Sequence, residues 1–368
     1  MKRIVFAALL ALGLLALVAP RVYAQDEKPF TIHGEVRFRG DYNNNIDDFD
    51  DDGVDDDQAL FWPYRVRIAA EGHFTKNVQV WIEFQNTGVA GGGDDLFGTF
   101  APRRVGDFQS DVELYQGNIT LNELWSKNFS LRIGRQEIVA GNELLLGDED
   151  FYAGISHDGG VGTWKLKKVN VMVWYTRPFE GSVQSFEGDL TPDRTDMGAN
   201  SGETQHFWGG YATWTWKKDQ IFDVYLMSMV DRGTGGNFQT IGARYAHDST
   251  TEDGFLWNLE VAQQMGQWES AFVSGSDVDA SGRAIEGWFG YNWKKGDKVH
   301  RVYGRIEQAT GDDTSSLDDN EGFQPLFGDF HNRTGRGDWF QLGDINPGVA
   351  GGGSTGLGGN TISEGGDC

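Results

Sequence analysis

Residues 60–74 read LFWPYRVRIAAEGHF, and apolar and polar side chains alternate along most of this stretch. One side carries the apolar residues and the other carries charged or polar residues: Trp62, Tyr64, Val66, Ile68 and Ala70 against Arg65, Arg67, Glu71 and His73. Alternation at every second residue predicts a β-strand with one apolar and one polar face. The same pattern runs through residues 30–38 and 78–84.

Ten further stretches have strand character, which brings the expected number of strands to about thirteen. They are residues 112–121, 129–137, 158–166, 169–177, 205–216, 221–230, 238–247, 255–264, 282–293 and 299–309. Short connections at 75–77, 167–168, 217–220 and 294–298 alternate with long Gly- and Asp-rich ones at 43–59, 86–110, 178–204 and 310–336. Short turns on one side and long loops on the other predict an all-β, antiparallel transmembrane β-barrel of the outer-membrane type, with outer-membrane lipid around it.

The lysines give an independent indication of topology. All lysines after residue 28 fall in or beside the expected short turns, whereas arginines occupy strands and long loops. A soluble β-sandwich or propeller, the alternative fold, gives no reason for lysines to collect at one end. We therefore expect the short turns to be periplasmic and the long loops to be outside the cell.

Composition narrows the class of protein further. The 368 residues include 52 Gly and carry a net charge of −24, with 13% aromatic residues. No stretch after residue 24 approaches the roughly 20 apolar residues of a transmembrane helix, and the aromatic content argues against disorder. The single cysteine, Cys368, excludes an intrachain disulfide framework. The acidic charge argues against nucleic acid as a partner.

The first 24 residues predict a signal peptide. Lys2 and Arg3 precede an apolar run from Ile4 to Ala19, and Val22-Tyr23-Ala24 resembles a cleavage site. Export by this signal fits the outer membrane of a Gram-negative-type bacterium. We expect the barrel domain to occupy residues 25–342 and a Gly-rich tail or truncated end to occupy residues 343–368.

Several motifs together resemble the alginate export family of outer-membrane barrels. The motifs are Gly134-Arg135-Gln136-Glu137, Gly141-Asn142-Glu143-Leu144-Leu145-Leu146-Gly147, Asp158-Gly159, Asp111-Val112-Glu113-Leu114-Tyr115-Gln116 and Phe323-Gln324-Pro325-Leu326-Phe327-Gly328. The resemblance runs from about residue 30 to residue 342. It implies a porin-like channel that passes an anionic polysaccharide or a smaller anionic solute through an arginine-lined lumen.

The end of the sequence departs from that family. The resemblance implies a barrel of about eighteen strands, and single-chain bacterial barrels have even strand numbers. The chain instead ends in glycine-rich sequence between Gly351 and Cys368. The expectation is a chain truncated before its last strands.

Eight arginines share the polar face by strand parity and are the candidate residues of the solute path. They are Arg37, Arg39, Arg65, Arg67, Arg132, Arg244, Arg301 and Arg305. Guanidinium is permanently charged and can hold carboxylates in bidentate fashion, which suits passage of anions. The alternative is that these arginines pair with carboxylates of the polar face in a network that fills the lumen. Arg135 has the opposite parity, which leaves its role open.

An aspartate-rich loop is a candidate calcium site. Asp48, Asp50, Asp52 and Asp56 surround Gly53 with the spacing of carboxylates in a calcium loop. The glutamate expected at the twelfth position is replaced by Ala59, and no helices are expected beside the loop. A solvated acidic loop is the alternative. Apart from this candidate Ca²⁺, the sequence calls for no cofactor.

Catalytic motifs are weak, so we expect a channel and not an enzyme. The seven histidines are scattered without metal-ligand spacing, and Ser156-His157-Asp158 is only sequential, which is not how a catalytic triad forms. A structural or adhesive barrel that acts through acidic calcium-binding loops is the main alternative. An outer-membrane hydrolase is a weaker one.

The acidic loop yields the first testable prediction. The aspartates of this loop repel one another, and two like charges about 4 Å apart do so by roughly 1 kcal/mol in water. Bound calcium should cancel this repulsion and hold the loop in a closed form. We expect millimolar Ca²⁺ to protect residues 41–57 from proteolysis, and Asp50→Ala with Asp52→Ala to abolish the protection. Equal cleavage in calcium and in chelator would leave only a solvated acidic loop.

Overall fold

A computed structural model gives the fold of the chain. It describes residues 30–43, 59–90, 112–148, 154–177, 205–231, 237–249, 253–269, 277–296, 298–311, 319–323 and 326–328. The expected signal peptide, the C-terminal tail after residue 342, the candidate calcium ligands and most of the long loops lie outside these residues.

The described residues form strands throughout and confirm the all-β prediction. The strands are β1 Phe30–Phe38, β2 Asp41–Asn43, β3 Ala59–Phe61, β4 Pro63–Thr75, β5 Val78–Val89, β6 Glu113–Asn122, β7 Phe129–Gln136, β8 His157–Lys165, β9 Val169–Arg177, β10 Gln205–Lys217, β11 Gln220–Asp231, β12 Asn237–His247, β13 Gly254–Glu269, β14 Asp277–Ala280, β15 Arg283–Lys295, β16 Lys298–Ala309 and β17 Asp319–Asn320. Thirteen of them, all except β2, β3, β14 and β17, have eight or more residues.

The long strands form one antiparallel sheet in which chain neighbours are spatial neighbours. The order runs from β1 to β4, continues strand by strand to β13, and passes through β15 to β16. The short strand β14 pairs antiparallel with the end of β13 and in parallel with β17. Strands β2 and β3 form a separate hairpin. Within the described residues, β1 and β16 are the edges of the large sheet.

One face of this sheet, here called the outer face, is apolar and exposed. Its centre consists of two rows of side chains that are register partners across neighbouring strands. The first row is Val171, Ala212, Val224, Ala243, Val261 and Ile285. The second is Val173, Gly210, Leu226 and Ile241, and it ends in the polar side chains of Gln263 and Arg283. Val224 and Ile241 are about half exposed, as expected of side chains that meet lipid and not a protein core.

Aromatic rows border this centre on both sides. Trp214, Phe222 and Tyr245 form a row toward the short turns. Tyr175 pairs with Trp208 toward the long connections, and these two residues are here called the upper aromatic row. Trp208 and Trp214 are six positions apart on β10, which is about 20 Å along a strand. Outer-membrane barrels have an apolar band about 25 Å tall between aromatic girdles. The outer face of the sheet has this organisation.

The opposite face, here called the inner face, is polar and tightly packed. Its strand residues include charged side chains with almost no exposure, such as Arg65, Asp223 and Glu286. A soluble sandwich would bury its apolar face and expose its polar face, so the pattern is the reverse of a soluble fold. This arrangement is the one required of a sheet that has lipid outside and a polar interior.

The connections also agree with the sequence-based expectation. Lys76, Lys167, Lys168, Lys218 and Lys294 lie in or beside short connections between paired strands. No helix that is long and apolar enough to cross a membrane occurs among the described residues.

The outer face generates a prediction about assembly in a membrane. Val224→Arg places a charge in the central row, where arginine on the lipid face costs about 2–4 kcal/mol, and Gln239→Arg places the same charge beside the upper aromatic row, where the cost is about 0–1 kcal/mol. We expect only Val224→Arg to lower the free energy of unfolding clearly, measured by denaturant titration of tryptophan fluorescence in lipid vesicles. Equal effects of the two substitutions would contradict the assignment of the outer face.

Candidate functional site

The most distinctive feature of the inner face is a segment that leaves the wall and folds across it. After β7 the chain continues through residues 137–148, here called the inward segment. Four of its apolar side chains are buried: Ile138, Leu144, Leu145 and Leu146. They belong to a cluster with apolar side chains of the inner face, among them Phe207, Met227, Met229 and Phe238. The apolar residues on the inner face of β10–β12 therefore serve to hold this segment.

A second segment fixes the end of the inward segment. Leu146 and Phe327 form a parallel bridge. The amide of Gly147 donates to the carbonyl of Phe327 at 2.7 Å, and the amide of Phe327 donates to the carbonyl of Leu145 at 3.1 Å. Phe323 and Leu326 are buried in the same cluster. The Gly141–Gly147 and Phe323–Gly328 motifs, which are far apart in the sequence, thus meet on the inner face of the sheet.

The tip of the inward segment contacts the inner wall through Gly141 and Asn142. Gly141 has φ of 66°, and a Cβ there would lie 2.4 Å from the hydroxyl of Tyr211, so glycine is required for this approach. Asn142 Nδ2 donates to Glu286 Oε1 of β15 at 2.6 Å. The tip therefore contacts both β10, which carries Tyr211, and β15, and three strands of the sheet lie between these two.

A register row of charged side chains lies where the tip meets the wall. The row, here called the charged row, consists of Asp223, Arg244, Glu260, Glu286 and Glu307 on β11, β12, β13, β15 and β16. It holds four carboxylates and one guanidinium. Arg305, one row nearer the short turns, adds a second guanidinium, with Nη2 3.1 Å from Glu286 and Nε 2.8 Å from Glu307.

Arg244 is the centre of the hydrogen bonds in this row. Its Nη2 lies 2.6 Å from Asp223 Oδ2, and its Nη1 donates to Asn258 Oδ1 at 3.2 Å. Tyr211 also donates to Asp223 Oδ2, at 2.8 Å. Tyr225, which stacks on Tyr211 at a centroid distance of 5.3 Å, donates to Glu260 at 2.8 Å. The burial of these charges requires such partners, because an unpaired charge would be strongly destabilising there.

A cavity of about 450 Å³ lies between the tip of the inward segment and the short-turn side of the sheet. Its lining combines an aromatic ring with polar and charged groups: Asn142, Trp288, Arg244, Arg305, Glu143, Asp219 and Asp248. Two guanidiniums and three carboxylates line the same space. A hydrated or hydroxylated solute would find hydrogen-bond donors and acceptors on all these side chains.

Three of the predicted arginines lie on the opposite side of the inner face. Arg65 on β4 is 2% exposed and contacts Glu35 with Nε at 2.9 Å and Nη2 at 2.7 Å. Arg37 is the register partner of Arg65 on β1. Arg67 donates to Gln85 at 2.7 Å and lies 3.9 Å from the centre of the Tyr115 ring. A β-bulge opposite Glu83 and Phe84 explains why Tyr115 faces inward against simple alternation.

The remaining predicted arginines are distributed along the sheet. Arg39 directly follows β1, and its amide donates to the carbonyl of Pro63. Arg132 on β7 donates to Gln136 and to the carbonyl of Glu137, where the inward segment begins. Arg301 on β16 donates to Asn292 at 3.0 Å and to Asp248 at 2.7 Å. The structure therefore brings Arg244 and Arg305 together at one cavity and places the other predicted arginines elsewhere on the wall.

The sequence reasoning missed the residues that position the inward segment. Tyr211, Tyr225 and Trp288 were not singled out from the sequence, and Asn142 was named only as part of the Gly141–Gly147 motif, without a role of its own. The apolar run Leu144-Leu145-Leu146 within a polar loop was the available signal, because an exposed loop gives no reason for three consecutive leucines.

The predicted metal ligands Asp48, Asp50, Asp52 and Asp56 lie outside the described residues, so the calcium site stays a prediction. Within the described ranges, no group of three or more histidine, cysteine, aspartate or glutamate side chains is arranged to hold a metal.

Solved porin structures show a distant likeness to this chain. The OccK2 (OpdF) porin of Pseudomonas aeruginosa matches 80% of the chain at 11% identity with a TM-score of 0.47, and the chain covers 66% of its length. OccAB1 of Acinetobacter baumannii matches 81% at 11% identity with a TM-score of 0.45 over 72% of its length. A BenF-like porin of Pseudomonas fluorescens Pf-5 matches 78% at 11% identity with a TM-score of 0.45 over 69% of its length.

A comparison with curated proteins gave no match. The family model described as alginate export matches residues 28–348, most of the 368 residues. The matched range includes the Gly134–Gly147 block and the Phe323–Gly328 segment, which meet inside the sheet. The chain belongs to the alginate export family.

Proposed function

We propose that this protein is an outer-membrane channel, that the inner face lines its bore, and that the inward segment narrows the bore. The observation that carries the proposal is the contact of the inward segment with several strands of the inner face. Leu144–Leu146 pack on β10–β12, and Asn142 reaches Glu286 on β15. An apolar outer face supports placement in lipid, and membership of the alginate export family supports the outer membrane.

The proposed cargo is an anionic polysaccharide or a small anionic solute. The family supports this class of cargo. The arginines support it through their chemistry, because a guanidinium is permanently charged and its planar set of N–H donors matches a carboxylate. At the cavity beside Asn142, Arg244 and Arg305 are the groups that could contact a carboxylate of a passing solute.

A specific observation favours a second candidate, passage of neutral or cationic hydrophilic solutes. Carboxylates outnumber guanidiniums on the wall formed by β11–β16 and the turns beneath it. The carboxylates are Asp219, Asp223, Asp248, Glu260, Glu286 and Glu307, and the guanidiniums are Arg244, Arg301 and Arg305. An excess of wall carboxylates raises the local concentration of cations and lowers that of anions.

Reversal potentials across a planar lipid bilayer distinguish the two candidates. With a potassium chloride gradient, the proposed cargo predicts a reversal potential of the sign that favours chloride. Substitution of Arg37, Arg65 and Arg305 by alanine should weaken this preference, because it removes three guanidiniums from the bore. A wild-type preference for potassium would contradict anion passage and support the second candidate.

The inward segment gives a separate prediction on conductance. Asn142→Ala removes the hydrogen bond from the tip to Glu286 on β15 while leaving every side chain of the charged row in place, so the segment should be displaced more easily. We expect a larger and noisier single-channel conductance than in the wild type. The matched control is Asn122→Ala, at the short-turn end of β6, which should leave conductance unchanged.

The outcome that would contradict the narrowing of the bore is an identical conductance in Asn142→Ala and in the wild type. A protein that inserts into bilayers without any conductance would instead support the structural or adhesive barrel. Turnover of phospholipid or ester substrates would support the hydrolase.

A further inference from the structure

A row of three charged side chains lies on the outer face, where charges are otherwise rare. Arg135 on β7, Asp158 on β8 and Arg177 on β9 are register partners on adjacent strands. Arg135 donates from Nε to Asp158 Oδ1 at 2.9 Å and from Nη2 to Asp158 Oδ2 at 2.6 Å. We call these three residues the outer charged row. The opposite parity of Arg135 is thereby explained, because its side chain points away from the bore.

The height of this row on the barrel wall is given by the aromatic row beside it. Tyr175 precedes Arg177 by two residues on the same face of β9 and pairs with Trp208 in the upper aromatic row. Two residues correspond to about 7 Å along a strand. Aromatic girdles lie at the boundary between hydrocarbon and headgroups, so the outer charged row lies at the level of the lipid headgroups on the long-connection side.

The charge and the donors of the row suit an anionic group. Two guanidiniums flank one carboxylate, which leaves the row with a net positive charge. The side chains of Arg135 and Asp158 are 42% and 36% exposed, so their salt bridge remains open to the surroundings. Guanidinium groups bind phosphate oxygens in bidentate fashion. They are also more weakly hydrated than an ammonium group, which favours arginine over lysine at a phosphate site.

The backbone below the row is fixed. Gly134, next to Arg135, has φ of 123°, and a Cβ there would lie 2.2 Å from the carbonyl oxygen of Gly117 on β6. Only glycine permits this close approach of β7 to β6. The two arginines are therefore presented from strands of defined position, about 10 Å apart across two strand spacings.

We propose that Arg135 and Arg177, separated by Asp158, bind the phosphate of a phosphorylated glycolipid in the outer leaflet of the outer membrane. The lipid is held by charge at its headgroup, and the aromatic side chains of Tyr175 and Trp208 lie beside its acyl chains. The proposal rests on the outer-membrane placement and on the long connections facing outward. It does not depend on which solute passes through the bore.

Retention of added lipid measures this site directly. The full-length protein, purified in a neutral detergent, is mixed with diphosphorylated lipid A, and the bound fraction is determined by native mass spectrometry. We expect Arg135→Gln with Arg177→Gln to weaken binding by about tenfold or more, since each lost charged contact is worth about a factor of ten. Asp158→Asn should strengthen binding, because it removes the negative charge from the row.

Three controls make the result specific. Lys167→Gln with Lys168→Gln removes the same charge at the opposite end of β8 and β9 and should leave lipid binding unchanged. Arg135→Lys with Arg177→Lys keeps the charge and should retain binding to a measurable degree, which separates loss of charge from misfolding. Conductance should be unaffected in every variant, because the row faces away from the bore.

Several outcomes would overturn the proposal. Equal lipid A binding by the wild type and the double glutamine variant would show that the row does not hold the headgroup. Equal binding of lipid A and phosphatidylglycerol would contradict the glycolipid as the occupant. Displacement of lipid A by inorganic phosphate at millimolar concentration would indicate a site for free phosphate. A wild type that binds lipid A but shows no conductance would contradict the channel function and leave this proposal standing.

Discussion

The structure depends on one constraint: a β-wall in a membrane must satisfy its backbone by pairing between strands while its two faces meet different solvents. Each long strand of this chain pairs with its neighbours in register and alternates its side chains between lipid and the interior. The aliphatic row through Val224 and Ala243 exists because the outer face must be apolar. The charged row through Asp223 and Arg244 is possible because the inner face is screened from lipid.

The inner face of the sheet combines buried charge pairs with an apolar cluster, and the two depend on each other. Buried charge pairs such as Arg244 with Asp223 stabilise little in net terms, because desolvation offsets much of their attraction, but removal of one partner costs about 3–5 kcal/mol. The apolar cluster around Leu146, Phe207 and Phe327 supplies burial that the charged row cannot. The inward segment joins the two, since its leucines lie in the cluster and Asn142 contacts the charged row through Glu286.

Strand positions and the parity of the inner-face arginines could be predicted from the sequence because both follow from a period of two residues. The prediction for β4 is confirmed by its alternating side chains: Tyr64 faces outward and the next residue, Arg65, faces inward. Parity also places Arg135 outside, but its partner Asp158 is fixed by the register between β7 and β8, which periodicity does not determine. The bulge that turns Tyr115 inward and the bridge between Leu146 and Phe327 depend on contacts between distant segments, so no local pattern could reveal them.

The central claim is that the inward segment lies inside the bore and contacts the wall at β15. A cross-link tests it most directly: Cys368→Ser removes the native thiol, and Asn142→Cys with Glu286→Cys places one thiol on the tip and one on β15, whose side chains are hydrogen-bonded in the wild type. A short bifunctional methanethiosulfonate reagent then bridges the two thiols through disulfides that can be reduced. Single-channel recordings are then made before and after reduction. The account predicts that the bridge forms, that the bridged channel has a steady low conductance, and that reduction raises the conductance. Failure of the two cysteines to cross-link, or a conductance that reduction does not change, would contradict it.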